Sequence, residues 1–558
     1  MNPSPSPHGV GRRAFLGRTA GVTAGTTLLG TLPQTPASAT PTTSHTPIRT
    51  RSGLVTGAPA ALPGVTVYKG IPYAASTAGE NRWRAPRPAP SWQGIRRADT
   101  WGAACPQPVT GIAADKIPPL SEDCLNLNIW TGAGSSPSSR DLRPVFVWIY
   151  GGRNSAMWAS QPVYDGANLA AKGAVVVTYN HRVGAFGNLA HPALSSEGGH
   201  GGSGNWGVLD TVAALRWIRH NIAAFGGDPE RVTLAGWSHG SSFVNILMIS
   251  KLARGLFHRA LLSAGVQYTK DPALGHVAGG YAQLAEANGT AFATYMGATS
   301  LPELRALPAD EIVTKVYAQG APAAGTSFGN VLDGHVLPRT YTAAMKSRTE
   351  YDIPVLTGNN KDENGASPTL TMTVAAYETY AATTFGDQAA DFLALYPATT
   401  DAEAAAQYNN YARDEERVST FLWGTQFRTT AANRSPVHAY WWTHVPPGQD
   451  TTNPIEPANG AGAYHGAEKY YFFGNLYGTD RPWTAADHTI ADRTSSYVTN
   501  FAATGNPNGP GLPTWPALRT SKPESMELGD HFAPLAAADS AGKYAFLKGY
   551  LEGRGTEY

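Results

Sequence analysis

FGGDPERVTLAGWSHG, residues 225–240, runs directly into SSFVNILMISKLARGLF. A β-branched, apolar run at residues 232–234 meets Gly236, Ser238 and Gly240 and then an apolar stretch of helical length, a pattern of strand, sharp turn and helix. In a G-x-S-x-G turn the flanking positions must carry almost no side chain, because strand and helix crowd the backbone of a strained serine. The turn lifts the Ser238 hydroxyl out of the sheet at the positive end of the helix, where a developing oxyanion is favoured. Five residues of this kind match many chance loops. The strand before them and the helix after them make Ser238 a candidate nucleophile.

Composition narrows the partners. The 558 residues carry 42 basic and 41 acidic side chains, with no basic stripe, which argues against nucleic acid or an anionic membrane. With 42% hydrophobic residues, 14 Trp and 25 Tyr, the chain can bury a large core and still line an aromatic cavity. Residues 1–39 read as a targeting segment. Arg12-Arg13 precede a mildly apolar stretch, and Ala37-Ser38-Ala39 offer small residues for cleavage, as in a twin-arginine signal; the mature protein is expected to be secreted. That stretch is too short to span a bilayer, and no integral membrane segment is expected elsewhere. Residues 40–558 are expected to form one catalytic domain.

The letters around the pentapeptide carry more. FGGDP, the strand and then Gly236-x-Ser238-x-Gly240 resemble the serine signature of the type B carboxylesterase and cholinesterase family, and the resemblance recurs from about Gly53 to Tyr558. It implies an α/β-hydrolase fold: a mainly parallel central sheet flanked by helices, with helical insertions over the active site. The residues are consistent with that. Residues 126–130, 145–150, 174–179, 261–262, 355–357 and 437–443 read as short buried strands, and 208–222 as a helix packed on the sheet. Residues 53–74 look like the family's small N-terminal sheet, residues 82–92 read as an extended wrap, and the helical stretches 281–317 and 375–433 are expected to form the mouth of a pocket. GSGNWG at 202–207 formally matches a dinucleotide fingerprint, but a glycine-rich loop rather than a strand precedes it, so we reject that reading.

A serine hydroxyl needs a base, and the base needs an orienting carboxylate. After the strand at 355–357, GNNKDENG resembles the family's glutamate loop and implies Glu363, with Asp362 as the fallback; GAYHGAE at 462–468 resembles its histidine loop and implies His465 as base. Gly151-Gly152-Arg153 follows a strand and corresponds to the family's three-glycine oxyanion loop, so the N–H groups of Gly152 and Arg153, with that of His239, are the expected oxyanion donors. Trp237, Trp158 and Tyr464 are the expected pocket residues. Pairing of Arg82 with Glu122 and of Arg182 with Asp210 is also implied by the resemblance. Cys105 and Cys124 suit an exported protein as a disulfide worth roughly 3 kcal/mol, which the family resemblance favours; two free buried thiols are the alternative.

The sequence departs from the family beside the nucleophile. Trp237 stands where the family usually has glutamate, His239 where it has a small residue, Arg153 at the third oxyanion glycine, and Ala264 at a serine behind the site. Loss of one oxyanion donor costs about 3 kcal/mol. Arg153 therefore either keeps the glycine backbone conformation, points to solvent, or uses its guanidinium on a substrate carboxylate or on the oxyanion. Residues 105–124 contain no tryptophan, the family's choline-binding residue, so a choline ester is not expected. The reading is a serine hydrolase acting on small-molecule esters without cofactor or metal, the lone histidines 181, 258, 438, 444 and 488 being structural. An acyl-transferring or ring-closing enzyme and a catalytically silent binding protein are the alternatives. The oligomeric state is not legible.

Overall fold

A computed structural model describes residues 46–109, 112, 114–132, 142–153, 155–265, 282–340, 343–344, 347, 351–428, 435–451 and 460–554. His45–Tyr558 make one compact unit. The targeting segment expected at 1–39 lies outside the described residues, as do the ends of the two helical stretches expected at 281–317 and 375–433.

An 11-stranded sheet organises the molecule. Its strands are β3 (Ala58–Pro59), β4 (Val65–Pro72), β6 (Asn126–Gly132), β7 (Arg143–Ile149), β8 (Val175–Tyr179), β9 (Gly227–Trp237), β10 (Arg259–Ser263), β11 (Val355–Asn360), β12 (Val437–Trp442), β13 (Glu524–Leu528) and β14 (Ala533–Ala536). The spatial order is β14-β13-β12-β11-β10-β9-β7-β8-β6-β4-β3. From β8 through β7 to β13 every neighbouring pair is parallel; β6, β4, β3 and β14 close the two sides antiparallel. Strands such as VVVTY of β8 are buried along their whole length, as a sheet covered on both faces requires. The helices Trp206–Asn221 and Ala485–Thr504 pack on this sheet.

The N-terminal region differs from expectation. Only β1 (Ile48–Arg49), β2 (Leu54–Thr56) and β5 (Ile95–Arg97) form a separate sheet, whereas β4 joins the large one. The reason is burial. The apolar residues of VTVYKGIP pair with β6 over a long register, while β5 is fully exposed. The glycine loop 202–207 opens the helix Trp206–Asn221 without a preceding strand, and Asn205 exchanges two hydrogen bonds with the backbone of Val331 at 2.7 and 2.9 Å.

Two buried ion pairs fix loops around the site. Arg182, 2% exposed at its side chain, meets Asp210 at 2.9 and 2.7 Å, and Asp210 also accepts from the Arg182 backbone at 3.0 Å. Arg82 meets Glu122 at 2.7 and 2.5 Å. Both are bidentate, the geometry that best compensates a desolvated pair.

Candidate active site

Sheet order explains why residues far apart in sequence converge. The loops after β7, β9, β11 and β12 leave the same carboxyl edge of the sheet, on strands separated only by β10. Ser238 sits between β9 and the helix His239–Ile249, with φ 55° and ψ −122°. That strained conformation is held by backbone bonds: Ser238 N–H donates to the Ser263 carbonyl at 2.8 Å, and Ser241 N–H donates to the Ser238 carbonyl at 2.9 Å. Glycine is required on either side. A Cβ on Gly236 would lie 2.3 Å from the Gly240 carbonyl oxygen, and one on Gly240 would lie 2.3 Å from that of Ile149.

The loop after β7 leans on this elbow. A Cβ on Gly151 would meet the Trp237 ring at 2.7 Å and the Ser238 Cβ at 2.9 Å. Gly152 has φ 94° and Arg153 φ 53°, so the arginine adopts the left-handed backbone that glycine would supply. Ser155 closes the turn through its N–H to the Gly152 carbonyl at 3.0 Å. A narrow apolar cleft, lined by Val183, Phe186, Ile312 and Tyr317 among others, flanks the loop. The Tyr317 hydroxyl donates to the Ser155 carbonyl at 3.3 Å. The helix Ala309–Val316 supplies Ile312, Val313 and Val316 to this cleft.

The distance between β9 and β12 is three strand spacings, about 14 Å, so the histidine loop must return across the sheet edge. It does so by binding the glutamate loop. Asp362 N–H donates to the Ala463 carbonyl at 3.0 Å, Ala463 N–H donates to the Asp362 carboxylate at 2.8 Å, and Arg413 holds the other carboxylate oxygen at 2.6 Å. Asp362 is thus the staple between loops. Glu363 instead meets His465 Nδ1 at 2.5 Å, its other oxygen accepting from Asn360 N–H at 2.6 Å. The glutamate side chain is 1% exposed and the histidine's 42%. The Trp237 and His465 rings lie 5.0 Å apart, which sets the histidine loop against the residue preceding Ser238.

A carboxylesterase-family model matches residues 44–547. The chain belongs to the carboxylesterase family. Fumonisin B1 esterase of Sphingopyxis macrogoltabida is 34% identical over 84% of this chain and 83% of its own length. Para-nitrobenzyl esterase of Bacillus subtilis is 31% identical over 87% and 95%, and human cocaine esterase 31% over 85% and 86%. A solved PNB esterase structure aligns with a TM-score of 0.70 at 26% identity, covering 91% of this chain and 99% of its own. The fold is that of an α/β hydrolase, and the protein is a carboxylic ester hydrolase.

In this carboxylesterase a buried polar network lies near Ser238 despite Trp237 and Ala264. Ser263 donates to the buried Glu468, Tyr440 donates to Ser263 at 3.1 Å, and Asn360 holds the other Glu468 oxygen at 2.5 Å. Burial first, and the neighbouring Glu363 charge second, raise the Glu468 pKa. For His465, burial disfavours the imidazolium, but the charge and hydrogen bond of Glu363, with the Glu468 charge, outweigh it, and the pKa lies above the ordinary histidine value. The Lys469 charge opposes that rise. Lys469 is buried with its Nζ 3.7 Å from the Trp237 ring centroid. Neither Glu468 nor Lys469 was assigned a role from the sequence; a lysine opening the aromatic run KYYFF after the histidine loop was the available signal.

The other expected site residues divide. His239 begins the helix after Ser238 and packs edge-on against Phe243 at 5.2 Å, leaving its backbone N–H at the helix start. Tyr464 is 6% exposed with its hydroxyl accepting from Arg481 at 2.7 Å, so it supports the histidine loop. Trp158 is 5% exposed. Cys105 and Cys124 are buried and free in the structure, which therefore does not show the expected disulfide. They are nonetheless neighbours, since a hydrogen bond with Cys105, and then burial, raise the Cys124 thiol well above its ordinary pKa. His181 and His438 are buried and pushed down to about 4 by desolvation, and His444 bridges Asp487 and Asp530 at 2.8 Å each. Among the described residues no group of three or more His, Cys, Asp or Glu is arranged to hold a metal, and no helix is long and apolar enough to cross a membrane.

Proposed function

We propose that the protein is a serine carboxylesterase working through an acyl-enzyme, with Ser238, His465 and Glu363 as its triad. Ser238 Oγ attacks the ester carbonyl carbon while His465 takes its proton, and Glu363 holds the imidazole in the required tautomer. The N–H groups of Gly152, Arg153 and His239 receive the oxyanion. Collapse expels the alcohol, which leaves with the proton from His465. Water then gives a proton to the same imidazole and attacks the acyl carbon, and Ser238 is released with the free acid. The chemistry needs no cofactor.

The observation that carries this reading is the 2.5 Å bond from His465 to a buried Glu363, with the His465 ring 5.0 Å from that of Trp237, the residue preceding a serine held at φ 55°. An imidazole 42% exposed also admits water, which favours hydrolysis over transfer to another acceptor. Relatives named as esterases of fumonisin B1, para-nitrobenzyl esters and cocaine support small-molecule esters as substrates while leaving the choice of ester to the individual site. We further propose export through the twin-arginine segment, with Cys105 and Cys124 joining once outside the cell.

The test is nitrophenol release from short-chain p-nitrophenyl esters by the mature protein and its Ser238→Ala variant. Hydrolysis lost in the variant supports the assignment. A folded wild type that releases no nitrophenol, or a variant that hydrolyses as well as wild type, overturns it.

A further inference from the structure

We infer that Arg153 is a substrate-binding residue, and that the preferred ester carries a carboxylate a few bonds from the scissile carbonyl. The inference rests on the hydrolase reading above and narrows it. It begins with a cost. A left-handed backbone disfavours any residue with a Cβ by roughly 1–2 kcal/mol, and Arg153 adopts φ 53° in a turn where glycine would be free of that strain. Strain of this kind is retained where a side chain has work to do.

Position gives that work. Arg153 lies two residues from Gly151, which abuts Ser238, so its Cα is within about 8 Å of Gly151's, two Cα–Cα steps. An arginine side chain placed there spans the surroundings of the reacting carbonyl. Arg153 is exposed, and among the described residues no carboxylate pairs with it. The acids of the neighbourhood are committed elsewhere: Glu363 to His465, Asp362 to Arg413 and Ala463, and Glu468 to Ser263 and Asn360.

Two further features tilt the site toward an anion. Where the family pattern has a glutamate before the serine, this chain has Trp237 carrying the Lys469 ammonium on its ring at 3.7 Å. The Trp237 indole N–H is buried and has no hydrogen-bond acceptor among the described residues. A buried ammonium and an unpaired buried donor thus lie behind Ser238 at a place where a negative side chain would repel an acidic substrate. A guanidinium exposed at the rim of the site is the group that best receives a planar carboxylate.

The experiment compares monoethyl glutarate and monoethyl adipate with ethyl pentanoate and ethyl hexanoate, reading kcat/KM for wild type, Arg153→Gly, Arg153→Met and Arg153→Lys. Glycine suits the positive φ, so that variant remains folded if methionine does not. We expect wild type to prefer the half-esters by tenfold or more, with a preference that weakens as salt is added. Arg153→Gly and Arg153→Met should lose at least tenfold of that ratio, and Arg153→Lys should recover part of it. Hydrolysis of neutral esters with no preference for half-esters in wild type, or an undiminished preference in Arg153→Gly, overturns this inference alone. Failure of every ester to be hydrolysed in a Ser238-dependent way overturns it together with the esterase reading.

Discussion

Replacing Lys469 by methionine should move the acid limb of the pH–activity profile upward. The ammonium lies 3.7 Å from the Trp237 ring centroid, and that ring lies 5.0 Å from the His465 imidazole, so the charge is within about 9 Å of the proposed general base. At that separation one positive charge disfavours the imidazolium by about 0.5 kcal/mol in a water-like dielectric and by about 2 kcal/mol at an effective dielectric of 20. These correspond to about 0.3 and 1.4 pH units. With 42% of the histidine side chain exposed, screening puts the expected shift toward the lower figure. The sign follows from the chemistry. Lys469 lowers the His465 pKa; without it the imidazolium persists to higher pH, and the neutral base required for attack is lost earlier on acidification. The assay is kcat/KM for a neutral p-nitrophenyl ester from pH 4 upward, with Lys469→Arg as the variant that keeps the charge. A limb that stays put or moves down in Lys469→Met, while the protein remains folded, would refute the placement of Lys469 beside the base.

Removing the partner charge should act in the opposite direction. Glu363→Gln is expected to lower kcat by about three to four orders of magnitude, through loss of the correct tautomer, and to shift the residual acid limb downward, because Glu363 raises the His465 pKa; stopped-flow and steady-state rates across pH measure both. Asp362→Asn is expected to lose stability rather than the pH profile, since its oxygens hold Arg413 and Ala463 and not the imidazole; thermal melting beside the rate profile separates the two effects. Arg182→Met leaves Asp210 charged at 0% exposure, and urea unfolding should show a loss of about 3–5 kcal/mol. Protein exported to an oxidising compartment should show no thiol reactive toward an aromatic disulfide reagent after denaturation and two after reduction. Two thiols without reduction would mean that the free pair seen in the structure persists.

The parts legible in the sequence were those that depend on local crowding. Gly236, Ser238 and Gly240 announce the elbow because no other residues fit where strand and helix cross, and a Cβ at either glycine would strike a carbonyl at 2.3 Å. Runs such as VVVTY announce buried strands because β-branched and aromatic side chains fall on both faces and no charged residue interrupts them. The pairing of Glu363 with His465 was likewise anticipated, through the resemblance of the two loops that carry them to the family's. Single positions beside those motifs were readable only as departures from a pattern, with no indication of what they touch.

What the tertiary structure decided was pairing across the sheet edge. Asp362 and Glu363 are adjacent acids that sequence cannot rank with certainty from charge alone; the alternation of their directions sends one to Arg413 and Ala463 and the other to His465. Arg153 stands at a position suited to glycine, and only the backbone shows that it takes the left-handed turn. Ala264 suggested a lost polar group, yet Ser263 and Asn360, on β10 and β11, meet Glu468 from the histidine loop in a buried polar network. Local sequence fixes conformations that sterics allow for a few residues at a time. Which buried charge meets which depends on strand order and loop return, and these bring together groups more than a hundred residues apart.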